Sequence, residues 1–186
     1  KYRVNYIAVE DILQVRDNGV SVSFTKNNSD GTFTLNQAPV GRITCDVKGA
    51  KTSIFLQYPS DIIQWLLTTF AGENNIGDLS SLPNYTLGIY QKTPGKVRAI
   101  IDHICRSVVG YHFYTRTGQF IARALTTVSG TASKTLTFDD TQESGVRIRS
   151  VIDPASQVVI NYRQNFTPQS DGLAGSVTAV DRALYE

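Results

Sequence analysis

The chain has 186 residues, of which 41% are hydrophobic and 18% charged, and its net charge is +2. These values are typical of a globular protein, and no apolar run approaches the ~20 residues that a membrane-spanning helix needs. The small net charge, with no cluster of Lys and Arg on one face, argues against nucleic-acid recognition.

Residues 1–50 predict a region rich in β-hairpins. Hydrophobic residues alternate with serines over residues 20–24, which is the period of a half-buried strand. A further strand is predicted over residues 42–47. Turn pairs that favour positive φ or end a strand stand at Asn18-Gly19, Asp30-Gly31 and Lys48-Gly49.

A first helix is predicted over residues 60–71. Ser60 is a candidate N-cap, and Gly72 supplies the stop. The apolar residues of this segment, Trp65 among them, cover more than one stripe, so we expect a mostly buried helix.

A second helix is predicted over residues 94–109. Thr93 can cap it, Pro94 suits the first helical position, and Gly110 suits a left-handed residue after the last turn. One face carries the apolar residues Val97, Ile100, Ile101, Ile104, Cys105 and Val108.

A hairpin is predicted next, with strands over 111–115 and 119–125 and a turn containing Gly118. Three more strands are expected over residues 135–138, 146–151 and 157–163, and the last dozen residues are expected to be helical. We expect the core to contain Trp65, Ile101, Ile104, Cys105 and Val108.

Together these elements predict an α+β fold, rich in antiparallel β structure, with two main helices packed on the sheet. Residues 1–50 form its hairpin-rich region and residues 51–186 its α+β region. The sequence contains no methionine and stops in a helical pattern without a C-cap. We therefore expect it to be a fragment of a longer chain.

Reactive side chains crowd together at one place, Asp102, His103 and Cys105. A Cys–His dyad needs its two groups within hydrogen-bond reach. Residues two apart on a helix project in nearly opposite directions, so His103 and Cys105 are not expected to meet. We predict no catalytic residue.

Metal and cofactor sites are not indicated. The candidate ligands Cys45, Cys105, His103 and His112 lack the close pair that structural zinc sites use. In the loop before Gly31, Lys26 stands where a calcium-binding EF-hand needs Asp. The carboxylates Asp139, Asp140 and Glu143 follow a predicted strand and are typical of a polar turn.

Aromatic residues are concentrated in the strand Tyr111–Tyr114. Alternate residues of a strand point to opposite sides, so one set is expected to pack on the second helix. The other set is available for a sugar or a protein partner, because exposed aromatic rings provide stacking surfaces.

Three segments, in their order, resemble virion tail proteins of tailed bacteriophages, especially the baseplate hub and tail-tip proteins. They are DNGVSVSFTKNNSDGTFTLNQAPVGRITCDVKGA, VRAIIDHICRSVVGYHFYTRTGQFIARAL and VVINYRQNFTPQSDGLAGSV. They cover more than half of the chain as patterns of apolar residues, turns and aromatic strands.

The resemblance implies a structural component of the virion that is soluble when expressed alone. It would assemble with other tail or baseplate subunits, as a homo-oligomer, for host attachment and genome delivery. It implies no catalytic residue. Two alternatives stay open: a carbohydrate- or receptor-binding module that uses exposed tyrosines, and a cell-wall hydrolase domain.

Overall fold

Antiparallel sheets and helices follow one another along the chain, and the α+β class predicted from the sequence is confirmed. The computed structural model describes residues 1–125 and 164–185. Its strands are β1 (Tyr2–Arg3), β2 (Val9–Asp17), β3 (Val20–Ser21), β4 (Phe24–Asn27), β5 (Thr32–Leu35), β6 (Ile43–Ala50), β7 (Gly110–Tyr114) and β8 (Phe120–Ala124). Its α-helices are α1 (Pro59–Leu66), α2 (Val97–Ser107) and α3 (Ala179–Tyr185).

The first fifty residues form two three-stranded antiparallel sheets, in the strand orders β1-β5-β4 and β3-β2-β6. Asn18 and Gly19 both have positive φ, 48° and 84°, as the predicted two-residue turn between β2 and β3 requires. Val9, Ile12, Val15 and Phe33 form the buried apolar cluster of this region.

The prediction that Lys48-Gly49 ends a strand is wrong. β6 continues through both residues to Ala50, because its pairing with β2 continues as well. Lys48 lies opposite Asp11, and Ala50 lies opposite Val9. The long partner strand therefore overrides the local turn signal.

The first helix differs from the prediction at its start. Its N-cap is Tyr58, and Pro59 occupies the first turn, so Ser60 is not the cap. The ring of proline fixes φ near the helical value. The backbone N–H that proline lacks would have no partner within the helix at this position. The last turn, Leu67–Ala71, is π-helical and ends at Gly72, whose φ of 65° agrees with the predicted stop.

The second helix also starts later than predicted. It begins at Val97 after the extended N-cap Lys96, and no side chain caps it. Gly95 interrupts the segment that Thr93 and Pro94 were expected to begin, since glycine is the poorest helix former after proline.

The end of α2 corrects the role assigned to Gly110. The left-handed residue is Val109, with φ of 53°, and Gly110 starts β7 without a positive φ. A Cβ atom on Gly110 would lie 2.9 Å from the carbonyl oxygen of Arg123. Glycine is thus required here by the close approach of the neighbouring strand.

A second apolar cluster joins α1, α2 and the β7–β8 hairpin. Its buried residues include Ile101, Ile104, Cys105 and Val108, as predicted. Trp65 is only partly buried at the edge of this cluster, where its ring meets Phe70 edge-on at 5.1 Å. The prediction that Trp65 is a core residue is therefore wrong.

The C-terminal segment packs against the β2–β3 hairpin. The backbone N–H of Ala174 donates to the carbonyl oxygen of Asn18 at 2.9 Å, and the Arg16 guanidinium lies 5.2 Å from the ring centre of Tyr185. α3 agrees with the helix predicted for the last dozen residues.

The strands predicted over 135–138, 146–151 and 157–163 lie outside the described residues. Within the described ranges, no helix has the length and apolar character needed to cross a membrane.

Candidate functional site

The candidate site lies where α2 faces β7. The apolar side of α2 buries Ile101, Ile104 and Cys105, which turns Arg98, Asp102 and Arg106 away from the core. These three residues are spaced four apart and share one face of the helix.

The side chains of Asp102 and His112 pair between helix and strand, and the contact is an ion pair when His112 is protonated. The Nε2 atom of His112 lies 2.6 Å from Oδ1 of Asp102, and the imidazole is much more buried than the carboxylate. The imidazole also stacks on Phe120, with 5.5 Å between ring centres. The pair therefore holds β7 against α2.

The hydrogen bond from His112 lowers the pKa of the Asp102 carboxyl below its ordinary value. Desolvation opposes this shift, while the positive charges of His112, Arg98 and Arg106 add to it. Asp102 is therefore ionised at neutral pH. Because two arginines lie next to it, the three side chains together carry a net positive charge.

Cys105 lies beneath this surface and is almost fully buried. Burial, and then the charge of Asp102, raise the pKa of its thiol to about 11. A nucleophilic cysteine needs a lowered pKa and some exposure. The environment of Cys105 therefore suits a packed core thiol.

The predicted separation of His103 from Cys105 agrees with the structure, since His103 is exposed and Cys105 is buried. The sequence interpretation missed the pair between Asp102 and His112. The helical pattern placed Asp102 opposite the apolar face, and strand alternation separated His112 from Tyr111 and Phe113 without showing which set faces α2. Combining these two patterns would have made His112 one candidate partner of Asp102, and the structure shows that it is the partner.

The four candidate metal ligands do not come together as a site. Among the described residues, no group of three or more His, Cys, Asp or Glu side chains could hold a metal ion. Cys45 lies on β6, in the other apolar cluster, where burial raises the pKa of its thiol. Lys26 forms an ion pair with Asp11 at 2.6 Å, and Asp139, Asp140 and Glu143 lie outside the described residues.

Two cavities border this surface. The first, of about 380 Å³, lies between α2, the π-helical turn and the hairpin. Its lining is mainly apolar: Leu67, Ala71, Val97, Ile101, Phe113, Tyr114 and Phe120, with Arg98 and His112. The second, of about 240 Å³, is more polar and is lined by Arg98, Asp102, Cys105, Arg106, Gly110, Tyr111 and His112.

The opposite side of the hairpin carries an exposed aromatic face, formed by Tyr111, Phe113 and the cross-strand residue Ile121. Tyr111 and Phe113 are 41% and 43% exposed. Their rings stack at 6.0 Å with an angle of 9° between the planes. The predicted division of this strand into a packed set and an exposed set holds for His112, Tyr111 and Phe113. It fails for Tyr114, which lies on the same side as His112 but is 54% exposed at the end of the strand.

Comparison with known proteins gives no assignment, because the chain matches no protein-family model, no curated protein and no solved structure.

Proposed function

We propose that the chain is a structural component of a phage tail, in the baseplate hub or tail tip. There it assembles with other tail subunits for host attachment and genome delivery. The proposal starts from the order of the three sequence segments that resemble such proteins. One structural observation supports an assembly role in particular, and that observation is the aromatic face.

The aromatic face is an exposed apolar surface. Tyr111 and Phe113 are stacked on a two-stranded sheet, and the other side of that sheet packs on α2 through His112 and Phe120. Exposed apolar surface is costly in water, and clusters of it mark interaction sites. Tyrosine and phenylalanine are also enriched where proteins meet. The face therefore suits contact with a neighbouring subunit.

The chemistry of the nearby polar residues also fits a structural role. The ion pair of Asp102 and His112 joins α2 to β7, and the neighbouring thiol of Cys105 has a raised pKa. An ion pair between a helix and a strand fixes the orientation of the hairpin. That orientation determines the direction in which the aromatic face is presented.

Sedimentation velocity over a range of protein concentrations tests the proposal. We expect the chain to self-associate and the double variant Tyr111→Thr, Phe113→Thr to associate at least about tenfold more weakly. Threonine keeps the β propensity of the strand while removing the rings. Tyr6→Thr is the matched control, since Tyr6 is 90% exposed and lies outside the hairpin. A chain that stays monomeric up to about 0.1 mM would contradict self-assembly.

A carbohydrate-binding function is the second candidate, and the stacked rings of Tyr111 and Phe113 favour it. Titration against host cell-surface polysaccharide separates the two candidates. Saturable binding that is lost in Tyr111→Ala, together with unchanged sedimentation of that variant, would favour carbohydrate recognition over assembly.

A further inference from the structure

The hydrogen-bond register of the β7–β8 hairpin is fixed at both of its ends. The N–H of Thr115 donates to the carbonyl of Gln119 at 2.9 Å, and the N–H of Leu125 donates to that of Val109 at 2.8 Å. In an antiparallel pair, hydrogen-bonded and non-bonded positions alternate. The backbone groups of Tyr111 and Phe113 therefore point towards β8.

The same register turns the N–H and C=O groups of His112 and Tyr114 away from β8. No described residue forms a backbone hydrogen bond with them. The outer edge of β8 is different, because it is paired. The N–H of Phe120 donates to the carbonyl oxygen of Asn75, and the carbonyl oxygen of Phe120 accepts from the N–H of Gly77. Within the described part of the chain, the outer edge of β7 is therefore open to another strand.

Both cavities lie along this open edge. Phe113 comes from one side of β7 and His112 and Tyr114 from the other, yet all three line the larger cavity. Tyr111 and His112 likewise come from opposite sides and line the smaller one. A cavity reached from both sides of a strand lies at its edge, so α2 and β7 together form a groove.

The rim of the groove is positively charged. Arg98 borders both cavities and Arg106 borders the smaller one, and neither forms an ion pair with a described residue. Among the described residues that line the cavities, the only carboxylate is Asp102, which is already paired with His112. The rim therefore complements a negatively charged partner.

We propose that the groove between α2 and the outer edge of β7 binds an extended, acidic segment of a neighbouring polypeptide by β-strand addition. The backbone of that segment pairs with His112 and Tyr114. An apolar side chain of the segment enters the larger cavity, and its carboxylates face Arg98 and Arg106. Strand addition with pockets for alternate side chains is an established mode of peptide recognition. The inference rests on the proposed assembly function, for which it specifies the partner.

The probe is an N-acetylated, fluorescently labelled hexapeptide in which valine alternates with glutamate. Its dissociation constant for the full chain is measured by fluorescence anisotropy, beside the valine–lysine counterpart. We expect saturable binding of the glutamate peptide, at least about tenfold tighter than that of the lysine peptide and weakened by salt. Methylating those peptide amides that face β7 should abolish binding, and methylating the intervening amides should not.

The protein variants test the location of the site. Arg98→Glu should weaken binding of the glutamate peptide by at least about tenfold. Lys48→Glu, on the exposed face of β6, is the matched charge reversal and should leave binding unchanged.

Equal binding of both peptides, or binding that tolerates methylation of every amide, would overturn strand addition. The chain could instead form a dimer that the peptide does not dissociate and that Tyr114→Pro abolishes. That result would assign the edge of β7 to a second copy of the chain and would also overturn the proposal. If the peptides fail to bind while the double variant Tyr111→Thr, Phe113→Thr still weakens self-association, the groove proposal falls and the proposed function stands.

Discussion

The carbonyl oxygen of Arg123 lies 2.9 Å from the point that a Cβ atom would occupy on Gly110. The two residues stand at the base of the hairpin, where Gly110 begins β7 and pairs with Ala124 at the end of β8. The same point lies 3.4 Å from the carbonyl oxygen of Cys105, so Gly110 lies close to both β8 and the end of α2.

Gly110→Ala should destabilise the protein by about 1–3 kcal/mol, because the new methyl group overlaps backbone that cannot move freely. Gly49→Ala is the control, since nothing lies within 4 Å of a Cβ atom there. The measurement is the free energy of unfolding in urea. Equal stability of the two variants would show that the close approach of β8 does not require glycine at position 110.

Val109→Asn should stabilise the protein by about 1 kcal/mol. Val109 has φ of 53° and is 65% exposed, so it combines backbone strain with little packing. A β-branched residue is costly in the left-handed region, which asparagine tolerates better. Val180→Asn, exposed on α3, is the control and should have little effect on the thermal midpoint, because valine and asparagine have similar helix propensities. A lower midpoint for Val109→Asn than for wild type would contradict the assignment of strain.

The ion pair between Asp102 and His112 should make stability fall at acidic pH. The folded-state pKa of Asp102 lies below the ordinary 3.8. The stabilisation is therefore complete above the unfolded-state pKa and is lost as the pH falls through the lowered value. We expect the carboxyl carbon of Asp102 to titrate below 3.8 in NMR spectra of the wild type and closer to 3.8 in His112→Gln.

His103→Gln is the matched control for this titration. His103 is exposed, and it is not among the residues that shift the pKa of Asp102. An unchanged Asp102 titration in His112→Gln, or an equal shift in His103→Gln, would show that the pair does not form in solution.

Both cysteines should resist alkylation in the folded protein. Burial raises the pKa of each thiol, that of Cys105 to about 11, so little thiolate exists at pH 8. Iodoacetamide labelling followed by mass spectrometry should show slow modification of Cys105 in buffer and fast modification in urea. Rapid labelling of native Cys105 would indicate a reactive thiol and reopen the hydrolase alternative.

The sequence predicted those features that depend on local chemistry. The Asn18-Gly19 turn and the stop at Gly72 follow from residue preferences, and the structure has both. The alternation in β7 follows from the strand period, and the structure has it from Gly110 to Phe113. The errors concern places where distant chain segments decide. β6 passes through Lys48-Gly49 because β2 continues to pair with it.

The same limit applies to the candidate site. Val109 takes the left-handed position, and Gly110 occupies a point where a side chain would collide with β8. Only the folded hairpin shows that contact. The helix face and the strand alternation made His112 a candidate partner of Asp102, but the sequence did not show which side of β7 faces α2. The open edge of β7 could not be inferred from the sequence, because it depends on which backbone groups the register turns outward.

Immuno-electron microscopy tests the proposed function most directly, using antibodies raised against the folded chain on intact tailed phage particles that encode it. The account predicts gold label confined to the distal end of the tail, and no label when the antibodies are first absorbed with the purified chain. Gold label on the capsid would contradict a structural role in the tail. So would the absence of any label on particles that retain all of their virion proteins.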